Sequence, residues 1–176
     1  MNFTELAQLR QSCRKYNPNK AVEEEKISAI LEAANLSPSA CNSQPYNITV
    51  AKGDAAKEVA KATTGMGMNS FTADVPVMLV ISESAYSKTA ALGAKLKGND
   101  YRSIDIGILS AFITLKAAEL SLGTCILGWF DDKKVRSVCG IDSPVRLIIA
   151  LGYPEDGYAI RDKKRKSLSD YISYKD

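Results

Sequence analysis

Histidine is missing altogether from this sequence of 176 residues. Its absence removes Ser-His-Asp and Cys-His nucleophilic catalysis, and with them His-ligated zinc and haem. Cysteine is scarce: Cys13, Cys41, Cys125 and Cys139 form no CxxC pair and no disulfide-like or metal-ligand spacing. They read as reduced cytosolic thiols, and no metal is expected. Strong charge of either sign is lacking too, because a formal +3 is too small to argue for nucleic acid by itself. The opening residues, Met1-Asn2-Phe3-Thr4-Glu5, lack a basic stretch followed by an apolar run, so no secretory signal is expected. Repeats, low-complexity tracts and domain linkers are equally absent. Redox or transfer chemistry would have to come from a bound cofactor.

What is present is ordinary in bulk, with 45% hydrophobic and 24% charged residues, and its length is that of one domain spanning 1–176. The chain is organised around Asp100 to Trp129. From Ser103 to Leu122 apolar residues occur on nearly every side of a helix, so the helix must be covered nearly all round. A membrane span would place Asp105, Lys116 and Glu119 in lipid, so a soluble core helix is expected instead. Gly123 is the expected left-handed cap, and Cys125 to Phe130 has strand character. This unit is either scaffold plus site or scaffold alone.

On the N-terminal side, Thr4 to Gln11 has helical spacing, with Asn2 or Thr4 as cap. In Arg10-Gln11-Ser12-Cys13-Arg14, two guanidiniums and a hydroxyl at every second position would share one face of an extended segment. They could converge on one anion, or be two solvated arginines at a helix end. Glu23 to Asn35 is an amphipathic helix with an acidic first turn. Pro38-Ser39-Ala40-Cys41-Asn42-Ser43-Gln44-Pro45 is a polar loop pinned by two prolines, either a hydrogen-bonding surface for a planar heterocycle or a plain turn. It leads into a strand, Tyr46 to Ala51.

Asp54 should cap a helix running to Thr64. Gly65-Met66-Gly67 follows a helix rather than a strand and lacks a third glycine, which rules out a Rossmann fingerprint. Val75 to Ser82 reads as a strand buried on both faces. Tyr86 to Asn99 is a mobile lid helix or a surface connection. Asp131 caps a short helix to Cys139, and Val145 to Leu151 is another strand. The basic run Arg161-Asp162-Lys163-Lys164-Arg165-Lys166 is a solvated tail or a source of charge for a phosphate contacted elsewhere. The alternation of strands and helices predicts an α+β or α/β sandwich.

Four features occur together in order: Arg10-x-Ser12-x-Arg14, Pro38-Ser39-x-x-Asn42-x-Gln44-Pro45, Asp105-x-Gly107 running to Gly128-x-Phe130, and Lys163-x-Arg165. As a set, from about Leu6 to Leu168, they resemble the FMN-dependent nitroreductase family. The resemblance implies an α+β, nitroreductase-like sandwich: a central mixed sheet flanked by helices, a long buried central helix, and a homodimer with FMN between subunits. Arg10, Ser12 and Arg14 would contact the phosphate, ribityl chain and pyrimidine edge, and Lys163 and Arg165 would complete the phosphate site. Pro38, Ser39, Ala40, Asn42 and Gln44 belong to the motif that would come from the other subunit onto the ring. Leu127 and Gly128 would lie at the isoalloxazine, a backbone N–H reaching N5, and Asn69 is the nearest counterpart of the Asn or Lys that many relatives set against the flavin. Tyr46 stands where relatives often have Trp, and Leu127 where they often have Glu.

The resemblance therefore implies a cytoplasmic FMN oxidoreductase with no catalytic side chain. It would carry hydride from NADH or NADPH to a small-molecule acceptor, such as a nitroaromatic, quinone or enone, by a ping-pong cycle. Neither nucleic acid nor membrane is an expected partner. Two alternatives are a specialised relative, such as a reductive dehalogenase or azoline oxidase, and a non-catalytic phosphate-ligand or RNA-binding module.

Overall fold

The computed structural model describes residues 1–175. Its sheet has four strands, β1 (Tyr46–Lys52), β2 (Val77–Glu83), β3 (Gly123–Leu127) and β4 (Val145–Gly152), in the order β1-β2-β4-β3. Every neighbouring pair is antiparallel. The expected mixed sheet is thus corrected, because the one parallel pairing beside it is an isolated bridge from Ser12 to Thr124 at the β3 edge. The expected α+β sandwich, with helices on both faces of the sheet, holds.

Strand alternation divides the core in two. Met78, Val80, Ile148, Ala150, Cys125 and Leu127 face one layer, formed by α3 (Gly53–Thr63) and α6 (Asp132–Cys139). Val77, Leu79, Ile81, Ile149 and Leu151 face the other, formed by α2 (Glu24–Asn35) and α5 (Tyr101–Glu119). β2 is buried along six of its seven residues, as a central strand covered on both sides requires. Each fully buried Leu or Ile contributes about 1.5–3 kcal/mol, so these two faces supply most of the driving force.

Several helix ends follow local chemistry. Asn2 caps α1 (Phe3–Leu9) in a reciprocal box with Glu5, and Asp131 caps α6 through the Lys134 N–H. α4 (Lys88–Lys97) fills the undecided segment, starting on a Ser87 cap and ending at a left-handed Gly98. Two expectations fail. α3 begins at Gly53 after Lys52, and Asp54 sits in its first turn paired with Lys57 instead of capping. α5 ends before Ser121, which takes the left-handed conformation at φ 62° that was assigned to Gly123. Gly123 opens β3, where a Cβ would meet the Cβ and Sγ of Cys13 at 2.8 Å.

A register shift between β2 and β4 leaves Arg146 as the extra residue between Val145 and Leu147. The bulge aims its guanidinium at Glu83 (2.8 Å) and at Ser103 Oγ (2.5 Å). Arg102 holds the other Glu83 oxygen at 2.6 Å. This clamp ties the first turn of α5 to the end of the sheet.

α5 is the long apolar helix the sequence requires, but one chain covers only part of it. Asp105, Ile106, Leu109, Ser110, Ile113, Thr114 and Ala117 are buried. Ile104 is 48% exposed, and Gly107 and Ala111 also face outward. With α1 and the outer edge of β3, Gly107 and Ala111 border an open, mainly apolar groove of about 540 Å³. Among the described residues, no helix is long and apolar enough to cross a membrane.

Candidate functional site

The residue after α1, Arg10, leaves the helix at φ −58°, ψ 118°, and the chain runs on beside β3. Cys13 donates its N–H to Thr124 O at 2.8 Å and buries its side chain. Ser12, one residue earlier, forms the parallel bridge. Alternation along this segment turns Arg10 and Ser12 away from the core.

The C-terminal run folds back onto the same place. Lys163 Nζ donates to Arg10 O at 2.5 Å, and Arg161 donates through Nη2 to Ser12 O at 2.5 Å. Arg161 also binds Gln11 Oε1 through its backbone N–H (3.1 Å) and Nε (3.2 Å). Together they enclose an open recess of about 330 Å³, lined by Arg10, Gln11, Ser12 and Arg161 to Arg165. Five basic side chains face one carboxylate, Asp162, and none of the five joins an ion pair among the described residues. The Lys163 ammonium is pushed below its ordinary range, first by desolvation and then by Arg10, Arg165 and Arg161. An unneutralised positive recess of this kind calls for a multivalent anion.

Of the sequence-predicted residues, Arg10, Ser12, Lys163 and Arg165 come together here. Arg14 does not line the recess. Its backbone N–H donates to Tyr158 Oη at 3.2 Å, and its charge opposes the rise that burial imposes on the Cys125 thiol. The reading of Arg10, Ser12 and Arg14 as converging on a single anion is corrected to that extent. Arg161 was missed, since a charge run has no periodicity to reveal which members turn inward.

Leu127 ends β3 three residues beyond Thr124, roughly 10 Å along an extended chain. Its side chain is buried, and at Gly128 an added Cβ would meet nothing within 4 Å. Asn69, left-handed at φ 54°, donates Nδ2 to Thr63 O and Trp129 O, both at 3.3 Å. The structure therefore places Asn69 beside the Gly128 turn.

The loop with Pro38, Ser39, Ala40, Asn42 and Gln44 does not line this recess. Ala40 donates its N–H to Asp105 Oδ1 at 3.0 Å, and Ser43 Oγ accepts from the Ser87 N–H at 2.7 Å. Cys41, Asn42 and Gln44 all have positive φ, at 52°, 50° and 44°. Gln44 is held within the loop, its N–H donating to Ser39 Oγ at 2.9 Å and its Nε2 to Asn42 Oδ1 at 3.0 Å. Strain concentrated in so few residues persists only where the surroundings over-determine it. Among the described residues no three Cys, Asp or Glu side chains gather as a metal site.

Compared with known proteins, residues 7–153 match the model of the nitroreductase family. The chain belongs to that family. The match stops short of Arg161, Lys163 and Arg165, so the second half of the basic recess lies beyond it. YdgI of Bacillus subtilis strain 168, which bears an NAD(P)H nitroreductase name, is 26% identical over 191 residues, covering 90% of this chain and 91% of that protein. A nitroreductase family protein of Clostridium difficile 630 superposes with a TM-score of 0.80 at 26% identity, over 100% of this chain and 99% of that one. An FMN-dependent nitroreductase of Clostridium difficile R20291 superposes at 0.78 with 24% identity, over 99% of each chain. These similarities establish the nitroreductase fold.

Proposed function

We propose that residues 1–176 form one FMN-binding domain of a cytoplasmic, homodimeric NAD(P)H-dependent oxidoreductase. The observation that carries the reading is the recess where Arg10 meets Lys163 and Arg165, distant in sequence, none of them in an ion pair among the described residues. A flavin phosphate fits it, being near dianionic and best held by several charge-assisted donors. The names of the relatives support the class: YdgI is described by NAD(P)H nitroreductase activity and the Clostridium difficile R20291 protein by FMN dependence.

Arg10, Ser12, Lys163 and Arg165 would hold the phosphate, with Arg161 bracing the two segments against each other. Arg14, outside the recess, would face the polar edge of the ring, where positive charge favours a reduced, anionic flavin. Leu127 and Gly128 offer main chain and open space at the ring, and Asn69 fixes the turn that presents them. Bound FMN would supply hydride chemistry, taking reducing equivalents from NADH or NADPH and passing them to a nitroaromatic, quinone or enone in a ping-pong cycle. No side chain need act as acid or base, in keeping with a chain that has no histidine.

Two copies are needed to complete this site. Within one chain the Pro38–Gln44 loop takes its contacts at Asp105 and Ser87, away from the recess, while the outward face of α5 is open and apolar. Burying that face against a second copy would bring the partner's loop to the ring. The test is anaerobic addition of NADH, then NADPH, to FMN-loaded protein. Bleaching of the visible flavin absorbance by at least one donor supports the proposal, and an unchanged spectrum with both contradicts it.

A further inference from the structure

Asp105 is an anomaly in its helix. Ile106, Leu109 and Ile113 bury the same region of α5 for ordinary reasons, whereas Asp105 buries a carboxylate to 2% exposure. An isolated buried charge is strongly unfavourable unless it is paired and fully hydrogen-bonded. Asp105 is neither. Among the described residues no cation pairs with it, Oδ2 has no hydrogen-bond partner, and Oδ1 has a single one, the Ala40 N–H at 3.0 Å. Tyr86 Oη and Arg102 Nε are buried and unpartnered as well. The Arg102 guanidinium stacks 4.6 Å from the Tyr86 ring centroid, and burial raises the Tyr86 phenol, with Arg102 opposing the rise and the Asp105 charge adding to it. Three orphan polar atoms thus accompany one bond that is made.

That one bond lies at the entry of the strained loop. Ser39 is extended at φ −142°, ψ 158°; Ala40 follows, and then come the left-handed Cys41 and Asn42. The turn's own bonds, Asn42 N–H to Ser39 O and Ser43 N–H to Ala40 O, close the turn without fixing it to the protein. The loop is also tied to the rest of the chain by the Ser87 N–H on Ser43 Oγ and, at its end, by the Ser84 N–H on Pro45 O. A glycine would have relaxed this backbone, but no glycine is used there. The buried carboxylate holds what the sequence itself disfavours.

We infer that Asp105 is a positioning residue for the flavin: through the Ala40 N–H it locks the Pro38–Gln44 loop in the left-handed conformation that the partner's FMN ring packs against. This deepens the proposed function and rests on it. The acceptor oxygen does the positioning.

The test compares native protein with Asp105→Asn and Asp105→Ala. Amide exchange of residues 38–45 is measured in the flavin-free dimer, and FMN affinity by fluorescence quenching. Asn retains an acceptor oxygen of the same reach but without charge. It should speed Ala40 exchange and weaken FMN binding by less than fivefold. Ala removes the acceptor, and both effects should exceed tenfold while exchange in α5 beyond Ser110 stays at the native level. Should Asp105→Ala fail to fold, Asp105→Asn decides alone: slightly faster Ala40 exchange with slightly weaker FMN supports the inference. Native exchange at Ala40 in either folded variant overturns it, and so does native FMN affinity in Asp105→Ala. Native protein that binds no FMN would defeat the functional reading instead, while the exchange measurement would still report on the loop.

Discussion

Lys163 Nζ lies 2.5 Å from the carbonyl oxygen of Arg10, joining positions 153 residues apart. One donor is thereby spent on the backbone, and the remaining ammonium protons face the recess beside the Arg10 guanidinium. The contact makes the positive cluster a property of the fold. Lys163→Ala should therefore weaken FMN binding by about 10- to 100-fold, the value of one charge-assisted contact. It should also flatten the dependence of affinity on salt. Titrations at two ionic strengths check both effects.

The depressed Lys163 ammonium gives a pH dependence with a definite sign. Its pKa in the free protein lies below the ordinary lysine value because of burial and neighbouring cations. A bound phosphate restores it upward. Between the lowered free-state value and the raised bound value, binding takes up a proton, so affinity falls as pH rises through that window. In the folded protein without ligand the same shift makes stability rise as pH climbs past the lowered value, since the penalty on the charged form disappears. Calorimetry of FMN binding in alkaline buffers of different ionisation heat should report proton uptake, which Lys163→Ala abolishes.

Ala111 lies on the open face of α5 with Gly107 and Leu115. Ala111→Glu places an unpaired charge where the partner should pack. Sedimentation should find the native chain dimeric and the variant shifted to monomer, with FMN affinity reduced at least tenfold. A monomeric variant that keeps native FMN affinity would refute the shared site.

Gly123 sets the close approach of Cys13 to β3. Gly123→Ala would bring a Cβ within 2.8 Å of Cys13 Sγ and 3.2 Å of Pro154 Cγ. Overpacking of this kind costs about 1–3 kcal/mol. For a chain of this size the thermal midpoint should fall by roughly 2–4 °C per kcal/mol. Thermal melting checks the fall, and FMN affinity should drop with it as the segment carrying Arg10 and Ser12 is displaced.

Much of this was legible where the determinant is local. The acidic first turn and apolar stripe of α2, the Asp131 cap and the buried run of β2 all show in the residues alone. The α3 start did not, because Gly53 at φ +58° turns the chain before Asp54 can cap it. Ser121 took the left-handed position beside an available glycine, since close packing on Cys13 demands that Gly123 stand in the strand. Antiparallel pairing is a matter of tertiary connection and leaves no local pattern. The outward side of α5 is not told from its buried side by residue type, because Ile104, Gly107 and Ala111 are as apolar as the residues that face the core. Asp105 was visible as a motif residue, but its grip on Ala40, 65 positions away, was not.

The central claim is most directly tested by titrating the protein with FMN and, separately, with riboflavin, which lacks the phosphate. The account predicts saturation at one FMN per chain with riboflavin bound at least about 100-fold more weakly, the worth of two charge-assisted contacts. Equal affinity for the two flavins, or no binding of FMN, would contradict it.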